Sequence, residues 1–264
     1  MDIRQSNKYA AYMSSENWTV EKTDNTYCYI KKLPILGNFI IIQRPPKITA
    51  KLIKSLESKY HPFQIILEPA VHTKIKNFKQ TKPYLPSKTM VLDLNRSEKK
   101  LYANLKKDCR YALRKNRNLE INTSPHLKEF RQIWKSSVPF NRHVPSINNL
   151  QSLQKSFNND ALFLVTVDKS SGAIFLKTPT TTYYWQAFTS QFGRKKLHQY
   201  RLVWEGILWA KKAKCKQFDF EGIYDNRFPN TKWLGFTHFK KSFGGNQVIY
   251  PEALKKTNWR NFIK

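Results

Sequence analysis

The sequence predicts a mixed α/β fold of the α+β kind, with helices and largely antiparallel strands alternating along a folded chain. Three observations point to it. Of 264 residues, 40% are hydrophobic and 14% aromatic, enough to build a core that a disordered polycation lacks. Short β-rich runs bounded by Pro and Gly alternate with segments whose apolar residues recur at helical spacing. Several of the runs follow one another through short turns, the mark of antiparallel neighbours.

The elements follow in order. Residues 27–33 and 38–43 are β-rich runs separated by Pro34 and Gly37, a hairpin-like pair that Pro45 and Pro46 end. Ile48 to Tyr60 sets Leu52, Ile53 and Leu56 at helical spacing, and Phe63 to Leu67 is a short buried strand stopped by Pro69. This β-β-α-β segment is a first domain, residues 1–85, and the polar, basic stretch 74–88 with Pro83 and Pro86 marks its boundary. The second domain, 86–264, opens with a strand from Thr89 to Leu94. Asn95 or Ser97 then caps one helix in which Leu101, Leu105, Cys109 and Leu113 recur every fourth residue. Helices follow at about 127–136 and 148–157, then antiparallel strands at 161–167, 173–177 and 183–188. A long amphipathic helix at about 198–213, a strand from Gln217 to Phe220 and a Gly-, Pro- and Trp-containing tail complete the chain. The expectation is one mixed sheet, without internal repeats.

The charge balance is lopsided. Against 18 Asp and Glu stand 47 Lys and Arg, a formal +29, which is tolerated most easily when the working partner is a polyanion. Nucleic acid, an anionic membrane face and a small phosphorylated substrate all qualify. Cys28, Cys109 and Cys215 are far apart and odd in number, which argues against a disulfide framework or a zinc site and for a reducing compartment. With no signal-like N-terminus and no run of apolar residues long enough to span a bilayer, the expected protein is cytoplasmic, with at most peripheral membrane contact.

No Walker loop, G-x-S-x-G elbow, H-E-x-x-H or dinucleotide fingerprint occurs, and the six His are scattered without metal-clamping spacing. Three other stretches are informative. Residues 74–117 hold 14 Lys or Arg against 3 Asp or Glu, with Lys106, Lys107, Arg110, Arg114, Lys115 and Arg117 crowded on one helix. This is either a solvated basic face or a phosphate-binding one. Residues 194–216 set eight cations, Lys211 and Lys212 among them, against Glu205. Two separated basic regions exceed what a small diphosphate needs, and an RNA partner accounts for both, without any RRM, KH or zinc-knuckle signature. The third stretch, FDFEG at 218–222 with GFTHFKKSFGG at 235–245, reads by itself as a tightly turned edge of the core.

Taken together, KKLPILGNFIIIQRPP at 31–46, IILEPAV at 65–71, TMVLDLNRSEKKLYANLKKDCRYALRKNRNLEI at 89–121, and YRLVWEGILWAKKAKCKQFDFEG at 200–222 followed by GFTHFKKSFGG resemble, in order, the Fem family of peptidoglycan bridge-forming transferases. The resemblance implies a GNAT-like acyltransferase fold with a reduced N-terminal GNAT-like subdomain, since 85 residues are too few for a full one, and a fuller C-terminal domain. The family's inserted helical arm is missing, because the helix at 148–157 runs directly into the strand at 161. It further implies a monomer that carries an amino acid from aminoacyl-tRNA to the stem-peptide amine of a peptidoglycan precursor, either a UDP-MurNAc-peptide or its lipid-linked form, with no cofactor and no metal.

Residue by residue, Phe239 and Lys240 match the family's Phe-Lys pair, whose lysine lies at the reacting ester. Arg142, in PFNRHVP, matches an arginine that contacts the precursor diphosphate. Glu68 takes the place of an acidic cleft residue and Tyr200 that of a cleft residue before the long helix. The cations at 106–117 and 211–212 would hold the tRNA. Such an ester is already activated, so its aminolysis needs a positioned neutral amine and a stabilised oxyanion rather than a metal or a covalent nucleophile. Lys240 would donate to the oxyanion, Phe239 would fix its approach, and a carboxylate such as Glu68, or substrate and water groups, would accept the amine's proton. Two rival readings are a GNAT-like enzyme using acyl-CoA, for which SQFGRKKLHQYR is a poor copy of the expected Q/R-x-x-G-x-G/A turn, and a non-catalytic RNA-binding protein on a decayed transferase fold.

Overall fold

The computed structural model describes residues 1–123 and 125–258; the last six residues of the expected second domain lie outside them. The chain divides into two units, Met1–Ser87 joined by the segment from Ile249 onward, and Lys88–Val248. Each has its own sheet, where the sequence predicts a single one.

In the first unit, α1 (Asn7–Ser15) starts at Ser6, whose hydroxyl accepts a hydrogen bond from the Tyr9 amide. The strands β1 (Thr19–Thr23), β2 (Thr26–Leu33) and β3 (Gly37–Gln43) form an antiparallel meander. The turn into β3 places Gly37 at φ +83, a conformation that glycine adopts without steric cost. Next, α2 (Ala50–Tyr60) begins at Thr49, whose hydroxyl accepts from the Leu52 amide, and ends at His61 in the left-handed region. It buries Leu52, Ile53 and Leu56 against Ile40, Ile42, Ile65 and Leu67. The helix crosses over to β4 (Gln64–Glu68), parallel to β3, and β5 (Lys79–Thr81) lies at the sheet edge.

The second unit begins at β6 (Lys88–Asp93). Instead of one long helix the structure has two, α3 (Glu98–Ala103) and α4 (Lys107–Lys115), with Ser97 capping the first. The break is stable because its freed polar groups find partners: the Lys106 amide donates to the Ser242 carbonyl, and the Arg110 guanidinium donates to the carbonyls of Ala103 and Leu105. Leu101, Leu105, Cys109 and Leu113 are all buried across the break. After β7 (Ile121–Asn122) come α5 (Leu127–Ser137) and α6 (Ile147–Phe157), the latter opened by a capping box at Ser146 and Asn149.

The strands β8 (Ala161–Thr166), β9 (Ser171–Lys177) and β10 (Thr181–Thr189) are antiparallel, as the sequence predicts. The remaining elements are α7 (Gln191–Lys196), α8 (His198–Lys212), β11 (Gln217–Gly222), α9 (Leu234–Lys241) and β12 (Asn246–Ile249). The sheet order is β12-β6-β11-β10-β9-β8-β7. Leu202, Val203, Ile207 and Ala210 of α8 pack with Phe175, Phe218 and Phe220 from the sheet. The chain then returns to the first unit, where β13 (Ala253–Thr257) inserts between β4 and β5, antiparallel to both. The sequence reading places this strand in the second domain.

Candidate active site

In the second unit's sheet the pairing of β10 with β11 is short. The parallel neighbours β10 and β11 are in register only at Thr181–Tyr183 against Gln217–Asp219. Just beyond, the outer ladder of each strand slips, between Tyr184 and Gln186 in β10 and between Asp219 and Gly222 in β11. Glu221 has φ +58 there, and the β11 bulge is held by the Glu221 amide donating to the Asp219 carboxylate. The pairing of β10 with β11 thus stops after Tyr183 and Asp219, where both strands are irregular.

Lys240 of α9 lies at this irregularity. Its Nζ donates to the Gly222 carbonyl oxygen at 2.6 Å, and it lies 5.2 Å from the Phe236 ring centre and 5.8 Å from that of Tyr184. Only 9% of the residue is exposed. Burial lowers its pKa from the ordinary 10.5 to about 8, although the charges of Glu221 and Asp219 oppose the change. The side chain therefore remains an ammonium at neutral pH, with proton affinity much reduced. Thr237 anchors α9 by accepting the Tyr224 amide at 2.7 Å.

Phe239 and Tyr200 meet edge to face at 4.7 Å, and both pack on Phe243. Burial raises the Tyr200 pKa. Arg142 is exposed in the loop between α5 and α6, with its Nη2 donating to the Ala187 carbonyl of β10 at 3.2 Å. Its charge acts on Tyr184, whose buried phenol accepts a hydrogen bond from Gln199 Nε2 at 2.8 Å. Tyr184 thus lies between Arg142 and Lys240, and Tyr200 of α8 packs with Phe239, the residue before Lys240 on α9.

Glu68 belongs to the first unit. Fully buried at the end of β4, it accepts from Gln43 Nε2 at 2.9 Å on one oxygen and from the Leu85 amide at 2.6 Å on the other. Both of its oxygens are thus engaged in the fold. Among the cations, Lys211 donates to the carbonyls of Leu94 and Arg96 and so ties α8 to the end of β6, while Arg110 closes the α3–α4 break. Both have structural roles that charge counting conceals. Lys106, Lys107, Arg114, Lys115, Arg117 and Lys212 are exposed.

Sequence reasoning missed Tyr184, Gln199 and the Asp219–Glu221 bulge. Tyr184 lies within a run read only as a strand, and no spacing signal marks it. Among the described residues no group of three or more His, Cys, Asp or Glu is placed to hold a metal ion, and no helix is long and apolar enough to cross a membrane. All three cysteines are free and buried, and burial raises the thiols of Cys28 and Cys109 to about 12.

No family model matches the sequence, and no curated protein matches it. Solved structures do. The chain superposes on the crystal structure of FemX with a TM-score of 0.79 at 13% identity, covering 98% of this chain and 93% of that one. It matches the C-terminal domain (DUF2156) of a putative lysylphosphatidylglycerol synthetase from Agrobacterium fabrum at TM-score 0.65 and 12% identity, covering 98% and 90%. A tandem GNAT protein from the clavulanic acid biosynthesis pathway matches at TM-score 0.51 and 8% identity, covering 88% and 78%. The chain has a Fem-like GNAT fold.

Proposed function

We propose that this chain is an aminoacyltransferase that moves an amino acid from aminoacyl-tRNA to the stem-peptide amine of a peptidoglycan precursor. The observation that carries the reading is Lys240, a buried ammonium held where the pairing of β10 and β11 stops.

The reaction requires little else. The neutral amine of the acceptor attacks the ester carbonyl, a C–N bond forms, and the carbonyl oxygen becomes negative. Lys240 donates to that oxyanion in a site dry enough for the interaction to count. The C–O bond to the ribose then breaks, and the proton lost by nitrogen ends on the departing ribose oxygen. The direct route to the ribose oxygen needs no protein base and is preferred, with Glu68 serving the fold through its hydrogen bonds from Gln43 and Leu85. The Tyr184 and Phe236 rings flank the lysine, Phe239, beside it in the helix, packs with Tyr200, and Arg142 supplies a bidentate contact for the precursor diphosphate. Lys106, Lys107, Arg114, Lys115, Arg117 and Lys212 attract the RNA backbone. Work at the inner face of the membrane is compatible with this charge, the lipid-linked precursor being one of the two acceptors.

One observation disfavours the acyl-CoA alternative. The stretch after β10, where a pyrophosphate loop would be expected, is folded as α7, and the Gly193 amide is taken by the Ser190 hydroxyl at 3.1 Å. A Cβ on Gly193 would come within 2.8 Å of the Ser170 carbonyl, so close packing accounts for that glycine. The test is to incubate the protein with charged tRNAs, acetyl-CoA and both precursor forms and read product mass. An aminoacylated precursor made only from charged tRNA supports the reading. An acetylated product would replace it with the acyl-CoA alternative, and tRNA binding without any product would leave a non-catalytic RNA-binding protein.

A further inference from the structure

One glycine near the site has no internal explanation. Gly235 is the second residue of α9, with helical backbone and exposed surface, and a Cβ built on it meets no atom within 4 Å. Neither a turn nor packing excludes a side chain, yet glycine is poorer than alanine inside a helix. A bare backbone in open space suits the close approach of a group from outside.

The flanking surface indicates what that group is. Leu234 is 51% exposed and Phe236 37%, and the Phe236 ring lies 5.1 Å from that of Trp233. Phe236 precedes Lys240 by one helical turn and Gly235 precedes Phe239 by one, so the open aromatic surface leads directly to the Phe-Lys pair. Lys232, just before it, is exposed, and the chain carries +29 overall. A flat ring bonded to a polyanion fits such a surface, because bases stack on aromatic side chains while the phosphates are neutralised nearby.

We propose that Trp233, Gly235 and Phe236 seat the terminal nucleoside of the RNA donor. The base stacks on Phe236, the sugar comes close to the helix backbone at Gly235, and the ester on that sugar lies at Lys240. This inference rests on the reading of an aminoacyl-RNA donor. The same surface could in principle take the base of a nucleotide-linked acceptor, and the experiment separates the two.

A short RNA hairpin ending in CCA, and the same hairpin without its terminal adenosine, are titrated against wild type, Phe236→Ala and Gly235→Ala by fluorescence anisotropy. A parallel titration uses UDP. Removing the adenosine should weaken wild-type binding by about five- to a hundredfold. Phe236→Ala should lose a similar factor and become indifferent to the adenosine. Gly235→Ala should also bind the full hairpin more weakly, with a melting temperature equal to or above wild type, a combination that a glycine kept only for folding does not produce. Retained discrimination by both variants would overturn the proposal, as would loss of UDP binding with RNA binding intact. Failure of the wild type to bind either hairpin would overturn the RNA-donor reading itself, and this inference with it.

Discussion

Replacing Lys240 by Met separates stability from activity, and the structure sets the size of both effects. A tenfold change in proton affinity corresponds to about 1.4 kcal/mol, so the fall from 10.5 to about 8 means that folding spends about 3 kcal/mol to keep the ammonium charged in its dry site. Met removes that cost and keeps an unbranched chain between the Tyr184 and Phe236 rings, but it leaves the Gly222 carbonyl without its partner, a loss of about 1–3 kcal/mol. The variant should therefore be at most marginally less stable than wild type at pH 7, and up to about 2 kcal/mol more stable. The difference depends on pH. Between about 8 and 10.5 the unfolded lysine holds a proton that the folded one has released, so wild type gains stability as pH rises through that window while the variant does not. Urea denaturation of both proteins at pH 7 and pH 9.5 measures this. Turnover with charged tRNA should fall by roughly a hundred- to a thousandfold. In wild type the rate should climb with pH as the acceptor amine deprotonates and then flatten above about 8 as Lys240 loses its proton. A variant destabilised by more than about 3 kcal/mol, or one that retains both its turnover and the break near pH 8, would refute this account of the lysine.

Other outcomes follow from the same geometry. Arg142→Ala should raise KM for the precursor with little change in melting temperature, because its one described bond to the fold is an exposed one to Ala187; an effect confined to tRNA affinity would place the diphosphate elsewhere. Arg110→Ala should destabilise the protein by about 1–3 kcal/mol by uncovering the carbonyls of Ala103 and Leu105. Arg114→Ala should leave stability within about 0.5 kcal/mol and flatten the salt dependence of RNA binding; thermal melts and binding isotherms at several salt concentrations check the pair. Glu68→Gln should lower stability by upsetting two buried hydrogen bonds while sparing most of the turnover per folded molecule, whereas a selective collapse of kcat would restore Glu68 as the proton acceptor. Burial, opposed by Asp168 and aided by Lys196 and Lys115, lowers the pKa of His198. Stability should consequently decline as pH falls below 6.5, where the unfolded histidine takes up a proton first, and His198→Asn should flatten that decline in melting curves.

Local pattern carried a good part of the fold. Leu52, Ile53 and Leu56 reveal α2 because a helix repeats its buried face within a few residues, and the antiparallel run from β8 to β10 is punctuated by its own turns. The α3–α4 break was invisible because apolar spacing continues through it, while the bonds that stabilise it come from the Arg110 side chain and from the distant Ser242 carbonyl. The two-sheet arrangement was equally hidden, since β13 pairs with β4 from the far side of the whole second unit in sequence. At the candidate site, Lys240 looked like one more surface lysine until a family resemblance singled it out, and its burial depends on where β11 ends and α9 packs. Tyr184 gave no sign at all, because a strand tyrosine facing a site reads like one facing the core.

The return of the chain to place β13 between β4 and β5 has a consequence for synthesis on the ribosome. The second unit is continuous in sequence and can condense as soon as it has emerged, whereas the first waits with an unfilled slot until β13 leaves the exit tunnel. The unit begun earlier is thus completed after the one begun later, and during that interval the unpaired edge of β4 is open to pairing with the wrong chain.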